Sequence, residues 1–204
     1  DSESSYTVSM GSDEQWESKA GATFASLHAM MTQSHIEQYG TTREEMSAVS
    51  VKNHYHASMN PMAQFPFEVS AEAVSNSGLV SSPLRMLDCA PNSDGAAAVI
   101  LCATEKAKKY GKKSIKIIGS GQASDTLSLH HRQHLNQMPA IRVAAKRAFK
   151  SCGKKVSDLD LIEVHDNFTI SEIIALEEIG IFRRGKAAAK ILEGETKLGG
   201  KIPT

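Results

Sequence analysis

Residues 161–174, LIEVHDNFTISEII, join an apolar strand pattern to a helix through the polar cluster His165-Asp166-Asn167. Leu161, Ile162 and Val164 suit a mostly buried strand. Thr169-x-x-Glu172 reads as a capping box that starts a helix with Ile170, Ile173 and Ile174 on its apolar side. In open α/β sheets ligands bind beyond the carboxyl ends of strands, so a histidine at this junction is placed to meet one. The alternative at this point is that His165 and Asp166 satisfy backbone groups at a strand end.

Outward from that junction the pattern alternates. Pro139 opens a helix reaching Ser151 or Cys152, with Val143, Ala144 and Phe149 inside and Gly153 as its stop; residues 158–164 form the next strand, and the helix over 170–179 ends at Gly180. Upstream, residues 114–118 read as a strand running into Gly119-Ser120-Gly121. That G-x-G lacks the third glycine of a dinucleotide fingerprint, Ser124 standing in its place, so it reads as a glycine turn. Residues 96–103, after a turn at 91–95, read as a buried strand, and 105–110 as a short helix. Strand, helix, strand, helix from Ser114 onward favours an α/β architecture preceded by a mainly helical insertion.

The insertion begins with residues 20–39, where Phe24, Leu27, Met30 or Met31 and Ile36 recur at helical spacing before Gly40. Thr42-x-x-Glu45 is a capping box for a second helix through about Asn53, with Met46 and Val49 inward. Residues 54–83 carry the turn signals Asn60-Pro61, Phe65-Pro66 and Ser81-Ser82-Pro83 and read as an irregular subdomain.

Composition excludes several classes. The 204 residues, 41% of them hydrophobic, suffice for one large core or two modest lobes, and equal totals of 23 basic and 23 acidic residues provide no field for nucleic acid. No apolar stretch approaches the ~20 residues of a membrane span, and the N-terminus lacks the apolar region of a signal peptide, so a cytoplasmic location is expected. Cys89, Cys102 and Cys152 are odd in number and fit reduced thiols. The start at Asp1 without a Met and the stop just after Gly199-Gly200 suggest a processed protein or a fragment.

None of the cysteines has the setting of a nucleophile. Cys89 lies in a turn, Cys102 in an apolar run expected to be buried, and Cys152 near a helix C-terminus, where the dipole opposes a thiolate. His130, His131 and His134 lack a recognised metal-ligand spacing and read as a solvated loop. His54 and His56 are either structural or part of a ligand surface, and His28 and His35 lie at the surface or interface of the first helix. Met30-Met31, Met59 and Met62 read as core filler or an adaptable interface.

The ordered series YGTTREEMSAVSVKNHYHASMNPMAQF, SPLRMLDCAPNSDGAAAVIL, IKIIGSGQAS, IEVHDNFTISEI and EGETKLGGKIPT resembles the thiolase superfamily, closest to the archaeal acetyl-CoA acetyltransferase and sterol-carrier-protein-type branch. The resemblance implies part of a layered αβαβα fold with a helical loop-domain insertion. Residues 1–83 would form the loop domain and its connections, 84–112 the last strands of the N-terminal half, and 113–204 the start of the C-terminal half.

It further implies an acyltransferase of lipid metabolism, as in the mevalonate pathway, that makes or cleaves acetoacetyl-CoA through a cysteine thioester. Coenzyme A thioesters are then substrates, with no metal and no covalently bound cofactor. His165 takes the oxyanion-stabilising role, Asp166 orients the loop, Asn167 departs from the HDCF form of some members and bears on acyl-chain preference, and Phe168 and His54 adjoin the substrate. Nucleophile and base would lie outside these residues, leaving this chain inactive alone. The implied partners are a second or further copies of the chain, as homodimer or homotetramer, hydroxymethylglutaryl-CoA synthase, and a zinc-containing bridging protein. A different class stays open, a non-catalytic acyl-CoA-binding or assembly subunit.

Overall fold

Two capping boxes set the N-terminal helices of the computed structural model, which describes residues 10–110 and 113–204. Helix α1, Phe24–Tyr39, starts at Thr23, whose hydroxyl accepts from the Ser26 N–H while the Ser26 hydroxyl accepts from the Thr23 N–H. Gly40 then closes it in the left-handed region, at φ 75°. Helix α2, Arg43–Ser58, starts with the expected Thr42/Glu45 box but runs past Asn53, so that both His54 and His56 are helical. Helix α3, Ala71–Asn76, and the antiparallel pair β1, Leu79–Ser81, and β2, Leu84–Arg85, occupy the turn-rich segment. Helices α4, Thr104–Tyr110, α5, Pro139–Cys152, α6, Thr169–Ile179, and α7, Ala187–Leu192, are the remaining α-helices among the described residues, with a π-helical turn at Glu14–Ser18 ahead of α1.

Helix α6 is the hub. It packs against α1, α2, α5 and α7, and every residue from Thr169 to Glu178 is buried. A helix surrounded on all sides can be apolar all round, as the Ile170, Ile173, Ile174 and Leu176 run is. These meet Leu27, Met31, Met46, Val49 and Ile191, each such side chain contributing about 1.5–3 kcal/mol on burial. The acidic residues of α6 are therefore inside too, and each has a cationic or N–H partner: Glu172 has Lys52, Glu177 has His35 and the N–H groups of Lys186 and Ala187, and Glu178 has Arg142 and Arg184.

Several expectations are corrected. The capping box at Thr169 and Glu172 does not form: Phe168 is the N-cap, Thr169 donates to Asp88 at 3.4 Å, and Glu172 is drawn to α2. A buried cation outcompetes a local cap. Residues 96–103, 114–118 and 158–164 carry no ladder among the described residues, and Val99, Ile100 and Ile115 are 83, 95 and 98% exposed. An apolar run records a demand for burial, but a strand also needs a neighbour to take its N–H and C=O groups. Cys102 is exposed with its segment.

Gly119 and Gly121 mark a close approach of the backbone to α5, because a Cβ on Gly119 would meet the Ala148 carbonyl oxygen at 2.7 Å. Val143 faces outward at 39% exposure, whereas Ala144 and Phe149 are half-buried. Of the methionines, Met31 is in the core, while Met59 and Met62 are exposed.

Candidate functional site

The loop 165–168 is held where it enters α6. Phe168 has extended backbone and bridges Cys89 in antiparallel fashion, and the Ala90 N–H donates to the Asn167 carbonyl at 2.9 Å. Its ring is buried and stacks on His28, centroids 4.2 Å apart, with Phe24 at 5.9 Å. The His28 Nδ1–H donates to the Phe24 carbonyl at 2.9 Å. Burial holds this imidazole below its ordinary range, aided by the charges of Arg132 and His165 and opposed by the Phe24 bond. Phe168 thus anchors the loop in the core.

His165 is exposed, and its ring makes no hydrogen bond among the described residues. Asp166, also exposed, accepts from Asn53 Nδ2 at 2.6 Å; the same amide nitrogen donates to Glu172 Oε2 at 2.9 Å. Glu172 Oε1 takes Lys52 Nζ at 2.6 Å in an ion pair whose side chains are 0 and 1% exposed, and Lys52 also donates to the Thr204 oxygen at 3.0 Å. Burial pushes the Glu172 carboxyl above its ordinary range, against the opposing pull of Lys52 and Asn53.

Asn53, His56, Glu163, Asp166 and Glu172 line a cavity of about 220 Å³. His56 is fixed as a neutral tautomer: Nδ1–H donates to the Thr204 oxygen at 3.1 Å, and Nε2 accepts from the Leu198 N–H at 3.1 Å. Burial first, then the Lys52 charge, depresses its pKa, in agreement with that bonding. His54 is not in the lining: its Nδ1–H donates to the Phe67 carbonyl at 3.0 Å, and its ring lies 5.4 Å from that of Phe67. The fold therefore gathers Asp166 with α2, sends Phe168 inward, and leaves His165 free to donate to a ligand oxygen.

A nucleophile is not assembled from the three thiols. Burial, with the Asp88 carboxylate beside it, pushes Cys89 up to about 11, and its thiol donates to the Arg85 carbonyl. Cys152 sits half-buried at the end of α5, and Cys102 is exposed in an unpaired run. Among the described residues no group of three or more His, Cys, Asp or Glu is disposed to hold a metal, and His130 and His131 bond Glu17 and Ser128 instead.

Lys52, Asn53 and Glu172 were not legible as site residues from sequence, and of the two histidines left open as a ligand surface only His56 lines the cavity. Glu172 looked like a cap; what marks it is its partnership with Lys52, across 120 positions of chain.

Residues 121–204 match the family described as Thiolase C-terminal domain-like. The chain is 46% identical over 196 residues to an acetyl-CoA acetyltransferase of Methanothermobacter thermautotrophicus, covering 96% of this chain and 51% of that protein. It is 36% identical over 172 residues to sterol carrier protein 2 of Oryctolagus cuniculus, covering 82% of this chain and 31% of that protein. A solved structure titled Ltp2-ChsH2(DUF35) aldolase superposes with a TM-score of 0.87 at 29% identity, over 92% of this chain and 51% of that one. The chain thus spans about half the length, or less, of the curated relatives it matches. No helix among the described residues is long and apolar enough to cross a membrane.

Proposed function

Because this chain belongs to the thiolase superfamily, we propose that it carries the oxyanion-binding part of a coenzyme A-dependent acyl-transfer site, forming or cleaving acetoacetyl-CoA. The observation that carries this reading is the exposed, internally unbonded His165 on a loop fixed from both sides, by the Phe168–His28 stack and by the Asn53–Asp166 bond. A hydrogen-bond donor held still before the reaction stabilises the charge that develops on a thioester oxygen without reorganising.

In the proposed chemistry a cysteine thiolate from outside these 204 residues attacks the acyl-CoA carbonyl, and the electron pair moves onto the thioester oxygen facing His165. Collapse expels the coenzyme A thiolate and leaves the acyl-enzyme. Attack on that thioester by the carbanion of a second acetyl-CoA, formed by loss of its α-proton to a base, makes the carbon–carbon bond and releases the cysteine thiolate. In the reverse direction the thiolate attacks the β-keto carbonyl of acetoacetyl-CoA, and the α–β carbon bond breaks to leave an acetyl-CoA carbanion that takes a proton from the base's conjugate acid. Coenzyme A thiolate then displaces the cysteine as a second acetyl-CoA. Asp166 orients the loop, Asn167 bears on acyl-chain preference, and Phe168 and His54 support the substrate side. The division at 83 and 112 into loop domain, first-half strands and second half belongs to the same reading, as do cytoplasmic residence and a homodimer or homotetramer.

The second reading is a non-catalytic acyl-CoA-binding or assembly subunit. Two observations favour it: the neighbour's title pairs its aldolase with a DUF35 component, and the exposed apolar residues of 96–103 and 114–118 fit an assembly surface.

Thiolysis of acetoacetyl-CoA separates the two readings. The chain alone is expected to be inactive, and the complete fold, reconstituted with the polypeptide carrying the rest of it, active. His165→Ala lowers kcat about 100- to 1,000-fold there, the scale for losing an oxyanion donor. Activity in the isolated chain, or unchanged kcat in His165→Ala, would sink the acyl-transfer account as stated; an inactive complete fold that still binds acyl-CoA would favour the assembly subunit.

A further inference from the structure

We propose that Asn53 is a positioning residue for His165, clamping the loop 165–168 to α2 by donating both hydrogens of its side-chain amide, one to Asp166 and one to Glu172. The proposal deepens the acyl-transfer reading and rests on it for its kinetic consequence alone. Two carboxylate oxygens lie 2.6 and 2.9 Å from one amide nitrogen. The NH2 end of the amide faces both and donates to each, which fixes the rotamer.

The clamp has a fixed end and a free end. Glu172 is buried in α6 and tied to Lys52, which α2 carries immediately before Asn53. Asp166 is exposed and belongs to the loop. Asn53 transfers the rigidity of the first to the second. Phe168 is pinned by its ring stack and Asn167 by the Ala90 N–H, so the Asp166 bond is the restraint nearest His165 on the α2 side. Without it the loop is held from its core side only, and the imidazole can swing off the oxygen it is meant to serve. A misplacement of about 1 Å can cost roughly 100-fold in rate.

The sequence of α2 also places Asn53 near His56 on the cavity wall, with Lys52 buried behind it and bonded to the wall residue Thr204. A substrate that moves α2 would therefore move the loop, joining binding on the helical insertion to the geometry of the oxyanion donor.

The test uses Asn53→Ala, Asp166→Ala, the double variant and Asp166→Asn. Asp166 is exposed, so its variants probe the same bond at low risk to folding, and the Asp166→Asn change keeps a side-chain oxygen for Asn53 to donate to. In the 204-residue chain, hydrogen exchange at the Ala90 amide, which reports the loop through its bond to Asn167, is expected to speed up about 10-fold or more in either alanine variant and little further in the double one. Asp166→Asn is expected to stay near wild type.

In the complete acyl-transfer fold the alanine variants lower kcat roughly 10- to 100-fold with KM within about 3-fold, and Asp166→Asn recovers most of it. Unchanged Ala90 exchange in Asn53→Ala, or independent, additive effects of the two alanine changes, overturns the clamp. A wild-type complete fold without acyl transfer overturns the functional reading instead, and the exchange measurement still decides the clamp. A large KM rise with kcat preserved would assign Asn53 to substrate binding and likewise overturn it.

Discussion

Replacing Lys52 by Met leaves the Glu172 carboxylate buried without its cation. Both side chains are essentially sealed from solvent, 0 and 1% exposed with Nζ 2.6 Å from Oε1, so water cannot take the place of the lost ammonium. Breaking such a pair on one side costs about 3–5 kcal/mol. The structure bounds the figure independently, since Glu172 can escape by taking up a proton. From its ordinary value of 4.5, neutralising it at pH 7 spans two and a half pH units, and at about 1.4 kcal/mol per unit this comes to roughly 3.4 kcal/mol.

That route has a sign. In the variant the folded chain holds one proton more than the unfolded chain above pH 4.5, so stability falls as pH rises, by about 1.4 kcal/mol per unit, and the deficit shrinks below about 1 kcal/mol at pH 5. Urea unfolding at pH 5, 6 and 7 measures it directly, and at pH 7 the deficit corresponds to a drop in Tm of roughly 7–14 °C. The Lys52→Met, Glu172→Gln double variant removes the charge altogether, so its difference from wild type should be flat across that range. A deficit under about 1 kcal/mol at pH 7, or one that does not change with pH, would show that the pair is not sealed from water and refute the reasoning.

Two further outcomes follow from the same geometry. His28 and His56 are both held below their ordinary 6.5, so the unfolded chain binds protons there that the folded chain does not; stability present above pH 6.5 is lost as pH falls below it. Thermal midpoints of wild type are expected to drop between pH 7.5 and 5.5, less so in His28→Phe, which keeps a ring against Phe168; identical slopes in the two proteins would contradict the buried neutral imidazole. With Cys89 pushed up to about 11, its thiolate fraction at pH 8 is roughly one in a thousand, and mass spectrometry after iodoacetamide should find Cys102 alkylated at least about 100-fold faster; comparable rates would overturn the structural role given to Cys89.

Helices that state their own ends were legible. Thr42 and Glu45 cap α2, Pro139 opens α5, and Gly40, Gly153 and Gly180 close three helices in the left-handed region, because caps and stops are settled by contacts within a few residues. Legibility failed where local and distant partners compete. Thr169 and Glu172 have the spacing of a capping box, yet Asp88 and Lys52 claim them, since a buried carboxylate gains more from an ammonium than an exposed backbone N–H gains from a cap. It failed again at 96–103 and 114–118, where the apolar pattern was real but the pairing it calls for has no donor among the described residues.

The sequence by itself determined the helical boundaries, the thiolase resemblance and the candidate loop His165-Asp166-Asn167-Phe168, all properties of residues close together in the chain. Only the tertiary structure decided how that loop is held: Phe168 against His28, and Asp166 to Asn53 beside a Glu172 neutralised by Lys52. Those partners lie more than a hundred positions apart, and what selects them is the burial of α6, which leaves each polar group on it either matched across the core or paid for in desolvation.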